Sequence, residues 1–482
     1  MEFLSVLQTI INSFGAVVVV PVIIFFIALV MKVKPQKAFL SALLAGVSLE
    51  GISLVVGSFS PIIAPLVKNM AEVMEQVTGN NLQIFDVGWQ AASLAAYSTS
   101  AGMVYLALGI IIQIIFFVIK WTNVFQPSDL WNNYSYPLWG SMVVLVTGNF
   151  ALGIACMVLL NLYSLVWADM MAKRWSTYYH YPNCMIPAMH NLEPGVWAMV
   201  LDPLWNALRL NKVQLSPEGI QKKIGFMGEP MTIGLVLGLF IGVLGTVGAP
   251  AGENLASIPG WGNVMLCAIA TSAVMAVFPK ITGFFAQAFG PITDAARKMM
   301  GDTGGREWYV SVNDAVAYGE SATLTSGLIM MPIVILMAFF IPGNQVLPVV
   351  DLIAIPYSLE CVVAVHNGNM GKILPTSIVY FAVGLIAATM TAPLFTEAAR
   401  QAGFAIPEGV AMITSIAILA RPLPALVTAA FLTMNPLLIA LTVVVYVVWY
   451  AAWRKFQNPI VSYLEKMASK NEGTQPVAEL AA

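Results

Sequence analysis

The feature that most constrains this chain is a succession of eleven apolar runs, at 10–31, 38–57, 97–119, 131–147, 150–167, 229–246, 262–279, 322–341, 351–366, 373–392 and 426–449. Crossing the hydrocarbon of a bilayer takes about 20 residues of α-helix, and most of these runs approach that length. Inside lipid no water is available to the backbone, so a run of this kind must satisfy its own N–H and C=O groups as a helix. Charged residues make up only 10% of the chain, against about a quarter in soluble domains. The expected fold is an all-α polytopic membrane protein with about 11 transmembrane helices. The N-terminus has no basic start and no small-residue cleavage site, so 10–31 reads as a first span rather than a signal peptide.

Charge sets the orientation. With the N-terminus outside, 19 of the 22 Lys and Arg residues fall on the inner side, and only Lys68, Arg400 and Arg421 fall outside. That asymmetry follows the positive-inside rule and places the C-terminus in the cytoplasm. The inner surface, including Lys173, Arg174, Lys222 and Lys223, is basic enough to dock an acidic or phosphorylated partner. The net charge of −2 carries no such information, because the charges are sorted by side.

The two halves echo each other. Ser60-Pro61 is followed 25 residues later by Asp86, and Gly290-Pro291 is followed 23 residues later by Asp314. Each aspartate opens a stretch rich in Gly, Ser and Thr, and a full span comes next. Thr147-Gly148-Asn149 then matches Asn367-Gly368-Asn369, each ending a short span. Five spans per half and a final one make the copies run in opposite senses, as in transporters built from inverted repeats with interrupted helices. The expected division is 1–168 as the first inverted repeat and 169–225 as a cytoplasmic-side linker with a re-entrant loop. Residues 226–392 form the second repeat, and 393–482 form the final span and tail.

Several function classes are excluded or unsupported. The four cysteines contain no CxxC pair, and three lie in apolar segments, so neither a metal site nor a disulfide framework is indicated. No Walker sequence or dinucleotide cradle is present. No cofactor is expected, and no nucleic-acid partner.

Polar groups within or beside the spans are the functional candidates, since ionisable residues there are costly. Glu229 lies in Gly228-Glu229-Pro230-Met231-Thr232-Ile233-Gly234, where the chain begins its pattern again and an acid and a proline suit a helix start. Asp86, in Phe85-Asp86-Val87-Gly88-Trp89, can cap free N–H groups or accept substrate hydroxyls, with Trp89 offering a ring face to C–H bonds. Asp314 and Glu320 are its rough counterparts, and His366 ends a short span beside Asn369. In Cys184–Pro194, Pro187 and Pro194 predict a loop rather than a regular helix, with His190 and Glu193 lining a polar cavity. An imidazole there can bond a hydroxyl or take its proton. Glu229 and His190 are expected to share that cavity and to be the catalytic pair. Asp86, Trp89, His190, Glu193, Glu229, Thr232, Asp314, Glu320, His366 and Asn369 are the substrate-binding candidates.

Phe85–Trp89, Gly228–Gly234, Pro342-Gly343-Asn344-Gln345-Val346-Leu347-Pro348 and Val363-Ala364-Val365-His366 resemble the membrane IIC component of the galactitol-type phosphotransferase system, within the ascorbate–galactitol superfamily. The resemblance runs in order over roughly 10–450. It implies a homodimer in the bacterial cytoplasmic (inner) membrane, with an elevator-like core in each subunit. It also implies uptake of galactitol or a similar hexitol or sugar, phosphorylated at the cytoplasmic face by a separate IIB protein charged by IIA. The chain alone would catalyse nothing. Two departures bear on the substrate: Ala188-Met189-His190 follows Ile186-Pro187 where the family tends to Ile-Pro-His, and Gly319-Glu320 stands where a Gly-His pair is expected. An ion-driven secondary transporter of the same fold is the alternative reading, with Asp86, Asp314 or Glu229 titrating. A membrane enzyme acting on a lipid-linked substrate would need a clustered nucleophile or metal set, which three scattered histidines do not supply.

Overall fold

The computed structural model describes residues 14–469, except 15–17, 19–20, 23, 27, 80–81, 97–98, 129–130, 214–229, 301–305, 405 and 407–409. The first half contributes α1 (Pro35–Thr78), β1 (Ile84–Asp86), α2 (Trp89–Ala96), α3 (Ser100–Val118), β2 (Val124–Phe125), α4 (Ser135–Thr147), α5 (Phe150–Tyr178), β3 (Cys184–Met185) and α6 (Met189–Ala207). The second contributes α7 (Pro230–Val247), α8 (Ile258–Met300), β4 (Tyr309–Ser311), α9 (Ala315–Tyr318), α10 (Ser321–Phe340), β5 (Val346–Leu347), α11 (Ile355–Val365) and α12 (Met370–Gln401). β6 (Met412–Thr414), α13 (Ile416–Leu419), α14 (Pro422–Leu432) and α15 (Pro436–Ser469) complete it.

Among the described residues, six helices are long and apolar enough to cross a membrane: α3, α5, the first part of α8, α10, α12 and α15. The chain is therefore a mostly helical, multi-pass membrane protein. α1 and α8 are longer than the runs that marked them, at 44 and 43 residues. At 1.5 Å per residue each extends about 65 Å, twice the hydrocarbon thickness. α7 packs against both, and they also pack against each other. Gly234, Gly238 and Gly242 of α7 recur every fourth residue, and a Cβ at Gly238 would lie 2.6 Å from the Ala268 Cα of α8. Only glycine permits that approach, which is how membrane helices gain contact without a hydrophobic drive.

Short strands in an all-helical chain need a reason. They form two sheets of parallel strands, ordered β5-β1-β6 and β2-β4-β3. Ile84 pairs with Val346 and Met412, and Val310 with Phe125 and Cys184. Each strand interrupts a path between helices, and extended backbone inside the protein must find partners there. Pairing with two other interrupted segments supplies them.

The Gly-Asn pairs flagged in the sequence are helix punctuation. Gly148, at φ 67°, ends α4, and Asn149 caps α5 by accepting the Leu152 N–H at 3.0 Å. Gly368, at φ 72°, precedes Asn369, which caps α12 through the Gly371 N–H at 2.9 Å. Left-handed glycine followed by an Asn cap is the economical way to stop one helix and start another. The expected loop over Cys184–Pro194 is only partly found. The strand β3 and Ile186–Ala188 are extended, but α6 starts at Met189 and runs through Pro194. Pro194 lacks the N–H that would bond the His190 carbonyl, so it frees that group without ending the helix.

Candidate functional site

The first turn of α6 is a hub. His190, Asn191 and Glu193 are all buried, and each reaches a different part of the chain. His190 Nε2 lies 2.6 Å from Asp314 Oδ2, in the turn between β4 and α9, while Asn132 Nδ2 reaches the other Asp314 oxygen at 3.5 Å. Asn191 Nδ2 donates to Glu360 Oε2 at 2.5 Å, and its Oδ1 accepts the Cys361 N–H at 2.8 Å, both on α11. Glu193 Oε1 accepts the Leu423 N–H of α14 at 2.8 Å. Its Oε2 accepts from the Tyr380 hydroxyl at 3.3 Å, and Tyr380 in turn accepts from Arg421 Nη1 at 2.6 Å. Successive positions in one helical turn point in different directions, so a single turn can address three neighbours.

Glu320 stands beside this hub. Its carboxylate caps α10 through the Ala322 and Thr323 N–H groups at 3.0 and 2.9 Å and accepts from the Tyr178 hydroxyl at 3.0 Å. Tyr179 bridges the same region, its hydroxyl 2.7 Å from Thr323 Oγ1 and 3.1 Å from the Glu360 carbonyl.

His366 belongs to a second network at the end of α11. Its Nδ1 lies 3.2 Å from Asp202 Oδ1 and its Nε2 2.9 Å from Thr376 Oγ1. Lys372 Nζ donates to Asp202 Oδ1 at 2.9 Å, and the Tyr463 hydroxyl of α15 donates to Asp202 Oδ2 at 2.7 Å. Lys372 and Asp202 are each 1% exposed. The sequence assigns Lys372 to the inner surface and Arg421 to the outer, but the structure buries both because each found a partner network. Arg174, expected on the basic docking surface, is buried against Glu465 at 3.0 Å.

Asp86 lies apart from the hub, at the end of β1. It accepts four backbone N–H groups: Oδ2 takes those of Val349 and Asp351 at 3.1 and 2.7 Å, and Oδ1 takes those of Gly88 and Ile416 at 3.3 Å. Asp351 reciprocates with the Trp89 N–H at 3.0 Å, the Ala417 N–H at 3.0 Å and the Ser415 hydroxyl at 2.6 Å. The pair fastens the ends of β1, β5 and β6. Trp89 is half-buried against the core, and Thr232 lies near the start of α7, whose main neighbours are α8 and α1. Glu229 lies outside the described residues.

Of the sequence candidates, then, the structure brings together His190, Asp314, Glu193 and, nearby, Glu320. It sets Asp86 with Trp89, and His366 with the Asn369 turn, in separate places. Asn191, Asp202, Asp351, Glu360, Lys372 and Arg421 escaped the sequence reading. The signal for Glu360 and Asp351 was available: each is an acid inside the short apolar run 351–366, where the rule that singled out Asp86 applies equally.

Parallel strands at the helix breaks of this multi-pass protein, and a buried His–carboxylate cluster at one of them, give it a polar interior of the kind a membrane permease needs. The sequence comparisons agree and name the group. The chain belongs to the EIIC-GAT family, PTS system sugar-specific permease components, whose model matches residues 9–409. It is similar to the "PTS system galactitol-specific EIIC component" of Escherichia coli K12, at 29% identity over 391 residues, covering 81% of this chain and 83% of that protein. It is also similar to a "Putative permease IIC component" of the same strain, at 29% identity over 408 residues, covering 84% and 90%.

Proposed function

We propose that this chain takes in galactitol, or a similar hexitol or sugar, as the membrane translocation subunit of a phosphotransferase system. The substrate would be phosphorylated at the cytoplasmic face by a separate IIB protein that IIA recharges. Family membership supports the transport class, and the galactitol-specific relative supports the substrate class. The observation that carries the reading is the buried pair His190–Asp314, with Asn132 on its far side. A neutral polyol needs fixed donors and acceptors, and a wrong substrate that leaves one buried group unpaired loses about 1–3 kcal/mol. Asp314 orients the imidazole, so His190 is placed to take the proton of the hydroxyl that attacks phosphocysteine. Glu229 is the second candidate for that role.

The finer architecture belongs to the same proposal: eleven spans, inverted repeats over 1–168 and 226–392 joined by 169–225, and a final span and tail over 393–482. The order of elements supports the repeats. A helix of more than 40 residues, a strand, a short helix and a span of 19 or 20 residues occur as α1-β1-α2-α3 and again as α8-β4-α9-α10. β1 is central among strands of the second half, and β4 among strands of the first. An elevator-type homodimer in the bacterial inner membrane, N-terminus outside and C-terminus cytoplasmic, completes the reading.

Reconstitution tests it. Proteoliposomes containing this chain, with soluble IIA and IIB and phosphoenolpyruvate, should accumulate labelled galactitol as its phosphate. Accumulation of unmodified substrate on a proton or Na⁺ gradient alone would favour the secondary-transporter alternative instead.

A further inference from the structure

Glu360 is a fully buried carboxyl that is only half satisfied. Its Oε2 accepts from Asn191 Nδ2 at 2.5 Å, whereas its Oε1 has no hydrogen-bond partner. Among the described residues no ion pair reaches it. Asp314 and Glu320 are close enough for their charges to act on it, so its charged neighbours share its sign. A buried acceptor left unpaired is costly and needs an explanation. Asn191, by contrast, cannot turn away: its Oδ1 is fixed by the Cys361 N–H at 2.8 Å, which commits the amide nitrogen to Glu360. The Glu360 backbone carbonyl is held as well, by the Tyr179 hydroxyl at 3.1 Å. One carboxyl oxygen is therefore held by Asn191, which is one residue along α6 from His190, while the Glu360 backbone is anchored by Tyr179 and the other carboxyl oxygen has no partner.

We infer that Glu360 Oε1 accepts a hydroxyl of the transported sugar or sugar alcohol, with Asn191 as the residue that positions it. The inference rests on the proposed function and extends it to a residue that chooses among substrates. A neutral hydroxyl fits the chemistry. It supplies the missing donor, adds no charge to a site that already holds Asp314 and Glu320, and leaves its oxygen free to accept from a neighbour. A carboxylate acceptor also discriminates sharply, because a substrate lacking that hydroxyl leaves the oxygen unpaired.

Binding of labelled galactitol, sorbitol and mannitol to the purified full-length chain, with monodeoxy forms of the best ligand, tests this. Glu360→Gln should weaken binding of the best ligand about 10-fold or more, because Asn191 holds the amide oxygen and an NH2 group then stands where Oε1 accepted. One monodeoxy analogue should bind wild type and Glu360→Gln equally weakly, because its missing hydroxyl is the one Glu360 holds. If Glu360→Gln fails to fold, Glu360→Asp retracts the carboxylate by one methylene and should show the same analogue pattern with a smaller loss. Unchanged binding by Glu360→Gln would overturn this inference and leave the transport reading standing. An equal loss for every analogue would also overturn it, marking Glu360 as structural. Failure of wild type to bind any hexitol would overturn the substrate class on which it rests.

Discussion

The His190 imidazole and the Asp314 carboxylate meet at 2.6 Å across 124 residues of chain. One comes from the first turn of α6 and the other from the turn after β4, and both are 7% exposed. If His190 takes the proton of the attacking hydroxyl, His190→Asn should keep galactitol binding within about tenfold and lower phosphorylation about 100-fold or more. Asp314→Asn, which still orients the ring, should fall between. Equilibrium binding measured beside phosphorylation with IIA and IIB separates the cases, and a parallel fall in both would assign the pair to holding substrate.

Glu229 admits the same division. Glu229→Gln keeps size and some bonding but removes basicity. If the acid helps deprotonate the hydroxyl, binding should hold within a modest factor while phosphate transfer is lost. Normal binding together with normal transfer would remove Glu229 from the site.

Asp86 is expected to matter through stability. It accepts four backbone N–H groups, from Gly88, Val349, Asp351 and Ile416. Asp86→Ala leaves those donors buried without it, at about 1–3 kcal/mol for each one that finds no substitute. The expected result is a lower melting temperature and loss of monodisperse protein in size-exclusion chromatography. A stable Asp86→Ala with weakened galactitol binding would instead make this residue a ligand.

The last helix is held down by polar contacts. α15 leaves helical geometry at Phe456, and beyond it Tyr463 bonds Asp202, Glu465 pairs with Arg174, and the Ala468 carbonyl accepts from Asn367 at 3.2 Å. Lys372→Met would take the lysine cation from Asp202 and leave it to His366, Tyr463 and Asn206, at up to about 3–5 kcal/mol for a broken buried pair. Tyr463→Phe removes one bond to the same carboxylate, at about 1 kcal/mol. Limited proteolysis should show the end of α15 released far more readily in Lys372→Met than in Tyr463→Phe.

Topology is open to direct labelling. Glu72 near the end of α1 and Lys298 near the end of α8 are both exposed. If the repeats are inverted, Glu72→Cys should react with an impermeant thiol reagent from outside, and Lys298→Cys only after permeabilisation. Reaction of both from one side would reject inversion.

Local chemistry made much of this protein legible. A helix in lipid closes its own hydrogen bonds, so the apolar runs alone located the helices carrying 100–118, 150–178, 321–340 and 370–401. The breaks were readable too, because Gly148-Asn149 and Gly368-Asn369 stop and restart a helix within a few residues. Runs 38–57 and 262–279 are helical as expected but lie in longer helices, and the helix carrying 38–57 is not among those apolar enough to cross a membrane.

What the sequence determined by itself is therefore the solvent this chain folds in, the helices that solvent demands and the places where they are interrupted. Tertiary structure alone decided which polar groups meet there. Asp86 and Asp351 are bonded 265 residues apart, His190 chose Asp314 over the other acids, and Lys372 left the surface for Asp202. The physical reason is that a helix forms from contacts three or four residues away, whereas a buried charge is stable only beside partners that the packing of distant segments brings to it.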